Sequence, residues 1–233
     1  MQPADAKSMK VLILYYSFSA QTSGLVHRLG AGLEAQGVEV VCERLQPLEP
    51  RHFPIGTVVA TLVMMLTTFL RGRIPIQPLP ASCWEHYDLI VLAGPTWSYN
   101  PSGPVLSLLD RDGARLFAGQ QVLPLISCRG YWRMHWLGLR FQLQRLGAVV
   151  VNRMVFAHPT KEPWRTIGVF LKLAGRVPER SGWLARYYPR YGHSREQQEE
   201  AFAFGAAIGQ ALKRGHSLAE LALISGRAGQ PGA

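Results

Sequence analysis

The chain alternates short apolar runs with longer segments in which apolar residues return every three or four positions. Residues 10–15 (KVLILY), 38–43 (VEVVCE), 88–93 (DLIVLA), 121–127 (QVLPLIS) and 148–156 (AVVVNRMVF) read as five strands. The segment 23–36 sets Leu25, Leu29 and Leu33 on one helical face, and Gly37 follows as a stop. Further helices are predicted over 104–117, 134–146 and 195–213. Ser194 opens the last of these, with Gln197 three residues on, as in a capping box. A shorter helical pattern covers 218–224. Apolar strands alternating with helices specify an α/β fold, a three-layer, doubly wound, five-stranded parallel sheet with helices on both faces.

Two connections are too long for this alternation. Residues 50–84 form an apolar insertion after the second strand, expected to be mainly helical. Residues 159–193 form a basic, aromatic insertion after the fifth. The reading is one domain over 1–233, ending in a tail over 215–233 with a Gly-rich end.

The loops after the strands carry the chemistry, because ligands of open parallel sheets bind outside the strands' C-terminal ends. The first loop lies within YYSFSAQTS, which runs from Tyr15 to Ser23. Its hydroxyls and the amides opening the next helix suit a phosphate monoester. A polar turn that only caps the helix is the alternative. The glycines and lysine of a Walker site are absent. The second loop, GPTWSYNPSGPV from Gly94, presents Trp97 and Tyr99 for stacking on a flat ligand. The third, SCRGYWRM from Ser127, pairs Tyr131 and Trp132 with Arg129 and Arg133.

In order and spacing these loops resemble the flavodoxin-like superfamily of flavin-mononucleotide proteins, whose first loop reads S/T-x-S/T-G-x-T. The resemblance covers 10–156 and the helix after Ser194. It implies the strand order 2-1-3-4-5 and an FMN cofactor, with NAD(P)H as electron donor. By position, Ser17, Ser19, Gln21 and Thr22 would hold the phosphate. Pro95, Thr96, Trp97, Ser98 and Tyr99 would line the flavin ring, and Cys128, Arg129, Gly130 and Tyr131 would close its far side. Ala20 stands where the family prefers glycine, so a positive φ there would strain the loop. Within the superfamily, YYS, the apolar insertion and the W-x-x-x-P-S loop are also similar to dialkylresorcinol-condensing enzymes, which work near lipid-like aromatic products.

Charge narrows the function. The chain has 25 Lys+Arg against 15 Asp+Glu. From Arg129 to Arg195 there are thirteen Lys/Arg and two Glu, interleaved with aromatics. Electron-shuttling flavodoxins are acidic as a family, so the resemblance favours an enzyme over a shuttle. No nucleic-acid motif accompanies the basic run, and no nucleic-acid partner is expected. A solvated surface and an anionic membrane surface both remain open.

The sixteen uncharged residues 55–70 (IGTVVATLVMMLTTFL) admit a buried helix over the site, an apolar lid or an interfacial anchor. As a helix they would span about 24 Å, short of the roughly 30 Å of a bilayer core. Three cysteines without CxxC spacing, and no apolar run near the N-terminus, point to a cytoplasmic location without a disulfide framework, with membrane association left open. Cys42 reads as core. Cys128 reads as inert or, beside Arg129, as a thiol of lowered pKa. No metal site and no Ser-His-Asp set emerge, and His27 and His193 have no metal-ligand partners at useful spacing.

The expected function is an FMN oxidoreductase that draws on NAD(P)H to reduce a quinone-like or other apolar aromatic small molecule. The alternatives are a flavin-independent enzyme acting on lipid-like aromatics and a membrane-peripheral binding module. A homodimer is left open.

Overall fold

The computed structural model describes residues 8–226. The Gly-rich end from 227 onward and the first seven residues lie outside the described residues. In chain order the elements are β1 (Lys10–Tyr15), α1 (Gln21–Glu34), β2 (Glu39–Arg44), α2 (Val58–Phe69), β3 (Leu89–Trp97) and β4 (Asn100–Pro101). Then come α3 (Gly103–Arg111), α4 (Gly113–Phe117), β5 (Gln121–Cys128) and α5 (Trp132–Arg145). The chain closes with β6 (Val149–Val150), β7 (Met154–Ala157), α6 (Trp164–Leu173) and α7 (Arg195–Arg214).

The main sheet runs β2-β1-β3-β5, then β6 and β7 along the far side of β5, with every pairing parallel. This is the expected 2-1-3-4-5 order with its fifth strand in two pieces. The pieces differ in register against β5 by one residue: Val122 faces Val150, whereas Leu125 faces Met154. One extra residue is therefore bulged out of the edge strand. The polar pair Asn152–Arg153 lies in the break. Asn152 Nδ2 donates to the carbonyls of Leu218 and Leu221, at 2.7 and 2.9 Å. Those bonds bring the C-terminal segment against β7, where Ile224 bridges Val155. The helix expected over 218–224 is thus one 3-10 turn, Leu218–Glu220, followed by a strand-like strap. The helix expected over 104–117 breaks at Asp112 into α3 and α4, just before the weak helix former Gly113.

Alternation along β1 builds two cores. Val11, Ile13 and Tyr15 pack with α1 and α7; Leu12, Leu14 and Tyr16 pack with α3, α4 and α5. Cys42, expected in the core, is exposed on the edge strand β2. Across the first core, α1 and α7 touch backbone to backbone at Gly32 and Gly205. A Cβ on Gly205 would collide with the Leu29 carbonyl, and one on Gly32 with that of Phe202. The contact is backbone on backbone, so no side-chain rotamer can relieve it. Gly205→Ala should destabilise the protein by about 3 kcal/mol or more through overpacking, measured by urea denaturation.

Candidate functional site

Parallel pairing sets the C-terminal ends of β1, β3, β5 and β7 side by side. Tyr15 faces Ala93, Pro95 faces Ser127, and Cys128 faces Ala157. The three predicted loops therefore converge on one cleft. Non-glycine residues take a positive φ in each of them: Ala20 at 60°, Ser98 at 43°, Tyr99 at 69° and Tyr131 at 54°. Such backbone costs on the order of 1–3 kcal/mol per residue and clusters at ligand sites. The strain expected at Ala20 is present, and the left-handed turn it makes opens α1 directly.

Ala20 occupies the N-cap position of α1 but has no side-chain acceptor to cap it. Ser17 supplies part of that cap instead. Its hydroxyl is buried and accepts from the Ser23 amide at 3.2 Å, and Ser17 does not line the cleft. Ser19, Gln21 and Thr22 do line it. Tyr191 of the second insertion lines the cleft beside Ser19 and Gln21. The first loop holds no cation, yet Arg44 at the end of β2 donates to the Ser17 carbonyl at 2.9 Å. Positive charge thus backs the start of a helix whose own dipole already favours anions.

The cleft has two chambers. The inner one is about 90 Å³, lined by the first loop, Pro95, Thr96, Trp97, Ser127, Cys128, Arg129, His158 and Tyr191. The outer one is about 370 Å³, lined by Thr96, Ser98, Tyr99, Arg129, Gly130 and Tyr131. Met65, Thr96 and Arg129 belong to both. Arg129 is the only charged side chain, among the described residues, that lines either chamber. Burial lowers its pKa from the ordinary guanidinium value. Arg133 lies instead over the Trp132 ring, outside both chambers.

Four of the predicted residues have partners that the sequence does not show. Trp97 does not stand free as a platform; it meets Tyr16 and Phe18 edge-on, with centroids 5.6 and 5.7 Å away. The more exposed Tyr99 and Tyr131 meet each other at 5.7 Å across the outer chamber. Cys128 is buried and its thiol is pushed up to about 12, because burial outweighs the pull of Arg165 and Arg129. It donates to the Phe156 carbonyl and is not a reactive thiolate.

The insertions roof the cleft. Met64 and Met65 of α2, and Val169 and Leu173 of α6, close the inner chamber. The turn before α2 is tied to α6 by the Ile55 and Gly56 amides, which donate to the Leu173 carbonyl. Arg165 of α6 is buried under the third loop. Its guanidinium fills the space where a Cβ on Gly130 would lie, 2.6 Å from Nη2. It pairs with Glu162 at 3.0 Å. These residues carry no local sequence signal; Arg165 sits in a basic run that reads as surface.

Buried imidazoles floor the cleft. His135 Nδ1 is 2.7 Å from the Thr96 hydroxyl. His158 stacks on Tyr188. His193 has Nε2 2.8 Å from Ser127 Oγ and Nδ1 3.3 Å from Gln197 Oε1. Gln197 Nε2 donates to the Ala157 carbonyl, so its oxygen faces the ring. Nδ1 then carries the proton and Nε2 accepts from Ser127. Burial holds His193 down to about 4, and His135 and His158 to about 3. These pKa values are depressed on folding, so their stabilisation is complete above the ordinary histidine pKa near 6.5. It is lost as pH falls toward 4, where the unfolded chain takes up protons the fold refuses. Stability in urea should fall across that window, and His193→Gln should flatten the slope by about one proton. An unchanged slope would contradict the buried, neutral assignment.

No family model matches the sequence, and no curated protein matches it. Solved structures do match in fold. A flavodoxin from the domain Archaea aligns with a TM-score of 0.50 at 14% identity, over 88% of this chain and 99% of that one. A Bacteroides eggerthii protein assigned as a flavoprotein aligns with a TM-score of 0.51 at 16% identity, over 71% and 98%. With the strand order already described, the conclusion is that this chain has a flavodoxin-like fold.

Proposed function

We propose that the protein is an FMN-dependent oxidoreductase that takes electrons from NAD(P)H and delivers them to a quinone-like or other apolar aromatic acceptor. One observation carries this reading. The start of α1, where Ser17 caps only the Ser23 amide, faces a cleft with aromatic, apolar walls in which, among the described residues, Arg129 is the single cation and no carboxylate occurs. Such a lining suits a ligand that is anionic at one end and flat and apolar at the other.

The residues fit FMN in kind. Ser19, Gln21, Thr22 and the first amides of α1 would hold its phosphate. The segments Pro95, Thr96, Trp97, Ser98, Tyr99 and Cys128, Arg129, Gly130, Tyr131 would flank its ring. The inner chamber is below the roughly 300–1,000 Å³ of ligand pockets, and the outer one is within that range. Binding therefore requires Tyr99 and Tyr131 to part and the methionines of α2 to yield. Bound flavin would supply the hydride and electron chemistry.

The chain's own residues do the rest. Arg129 places fixed positive charge beside the ring site and favours negative charge there. His135 fixes the Thr96 hydroxyl by a hydrogen bond at 2.7 Å. The neutral imidazoles add no competing charge. Met64, Met65, Val169 and Leu173 exclude water. A second reading, a condensing-type enzyme that acts on lipid-like aromatics without flavin, is favoured by the small inner chamber.

Titration of the apoprotein should quench FMN fluorescence at micromolar concentration, with riboflavin binding at least about tenfold weaker because it lacks the phosphate's charge-assisted bonds. Thr22→Val and Arg129→Gln should each weaken FMN by about tenfold or more. Equal binding of FMN and riboflavin would remove the phosphate assignment. No binding of either, with Trp97 quenched by an alkylresorcinol, would leave the second reading.

A further inference from the structure

Helix α2 is inside out. Its buried residues are Thr61 and Thr68. Its large apolar residues Val58, Val59, Leu62, Val63, Leu66 and Phe69 are exposed, Val59 at 71%. The threonines explain the orientation. Thr68 Oγ1 meets Ser98 Oγ at 2.9 Å, and Ser98 Oγ donates to the Met65 carbonyl at 3.0 Å. Asn100 Nδ2 donates to the carbonyls of Thr68 and Phe69. Polar contacts thus seat α2 on the second loop and turn its apolar side outward. A water-facing helix has the opposite arrangement.

The apolar surface continues beyond α2. Leu66 and Phe69 share the outer chamber's rim with Tyr99 and Tyr131. Tyr131 opens α5, whose exposed residues Met134, Leu137 and Phe141 extend the stripe. Arg71, just past α2, reaches to within 3.4 Å of a Cβ position on Gly138 of α5, so the two helices are neighbours. Such a patch on a monomer marks a binding face.

Charge identifies the occupant. No acidic residue occurs between Arg51 and Pro80, nor between Arg129 and Lys161. Exposed Arg133, Arg140 and Arg145 lie over the rings of Trp132, Trp136 and Phe141, with Arg51 and Arg73 beside α2. Arg73 pairs with Asp110 at 2.7 Å, so the rim is predominantly but not wholly basic; apolar side chains rimmed mostly by arginines complement an interface with hydrocarbon below and anionic head groups above. A second copy of the chain would set like charge against like. We propose that α2 and α5 form a docking face for an anionic lipid bilayer, with the mouth of the cleft turned to the membrane. An apolar acceptor would then enter from the lipid side. Docking itself is independent of the flavin reading and needs no cofactor.

The test is co-sedimentation of the full chain with vesicles, either phosphatidylcholine alone or phosphatidylcholine with one third phosphatidylglycerol. The expected result is binding to the anionic vesicles that weakens with added salt and falls about tenfold or more in Leu62→Glu/Leu66→Glu. Both side chains are exposed, so circular dichroism of the variant should match the parent. No sedimentation with either vesicle, or equal sedimentation of parent and variant, would overturn the proposal. A parent that is dimeric by light scattering, and monomeric without lipid binding as the variant, would also overturn it. The face would then belong to a second copy.

Discussion

Parallel pairing of β1, β3, β5 and β7 is the constraint on which the site depends. It delivers three loops to one edge of the sheet, and each carries non-glycine backbone in the left-handed region. Strained backbone persists only where its surroundings over-determine it. Here the surroundings are the Ser17 cap on α1, the Asn100 and Ser98 contacts under α2, and the Arg165 guanidinium against Gly130. Each loop is thus held by polar groups behind it, while its front faces the cleft.

The two insertions convert an open sheet edge into a roofed cavity. They do so with opposite chemistry on their two sides. Toward the protein, α2 presents threonine hydroxyls, main-chain carbonyls and the side chains of Met64 and Met65; outward it presents Val, Leu and Phe. A helix this short gains little stability from its own propensity. Its placement comes from the contacts of Ser98 and Asn100 and the tie to α6. The cleft and the outward apolar face are therefore consequences of one docking event.

Much of this was legible in the sequence. Strand β1 shows as an unbroken apolar run because it is buried on both faces, and the capping box at Ser194 marks the start of α7. The three loops follow from the strand ends. What was not legible is direction. Ser17 and Ser19 are equivalent in the sequence, yet the backbone at Ala20 turns one into a helix cap and leaves the other in the cleft. Arg129 beside Cys128 suggests a low thiol pKa, but burial is a tertiary property and wins. The outward turn of α2 has one sequence trace, Thr61 and Thr68 seven residues apart on one face. The break between β6 and β7 is marked by Asn152–Arg153 inside an apolar run. The partnership of His193 with Ser127 spans 66 residues and has no local trace.

The central claim is that the start of α1 is an anion site feeding a flat-ligand cleft. A crystal structure of the protein grown with FMN tests it most directly. The account predicts the phosphate within hydrogen-bonding distance of the Gln21 and Thr22 amides, and the ring between the Trp97–Tyr99 segment and the Arg129–Tyr131 segment. Density for the flavin elsewhere on the surface, or a cleft still closed by Tyr99 and Tyr131 at saturating FMN, would contradict it.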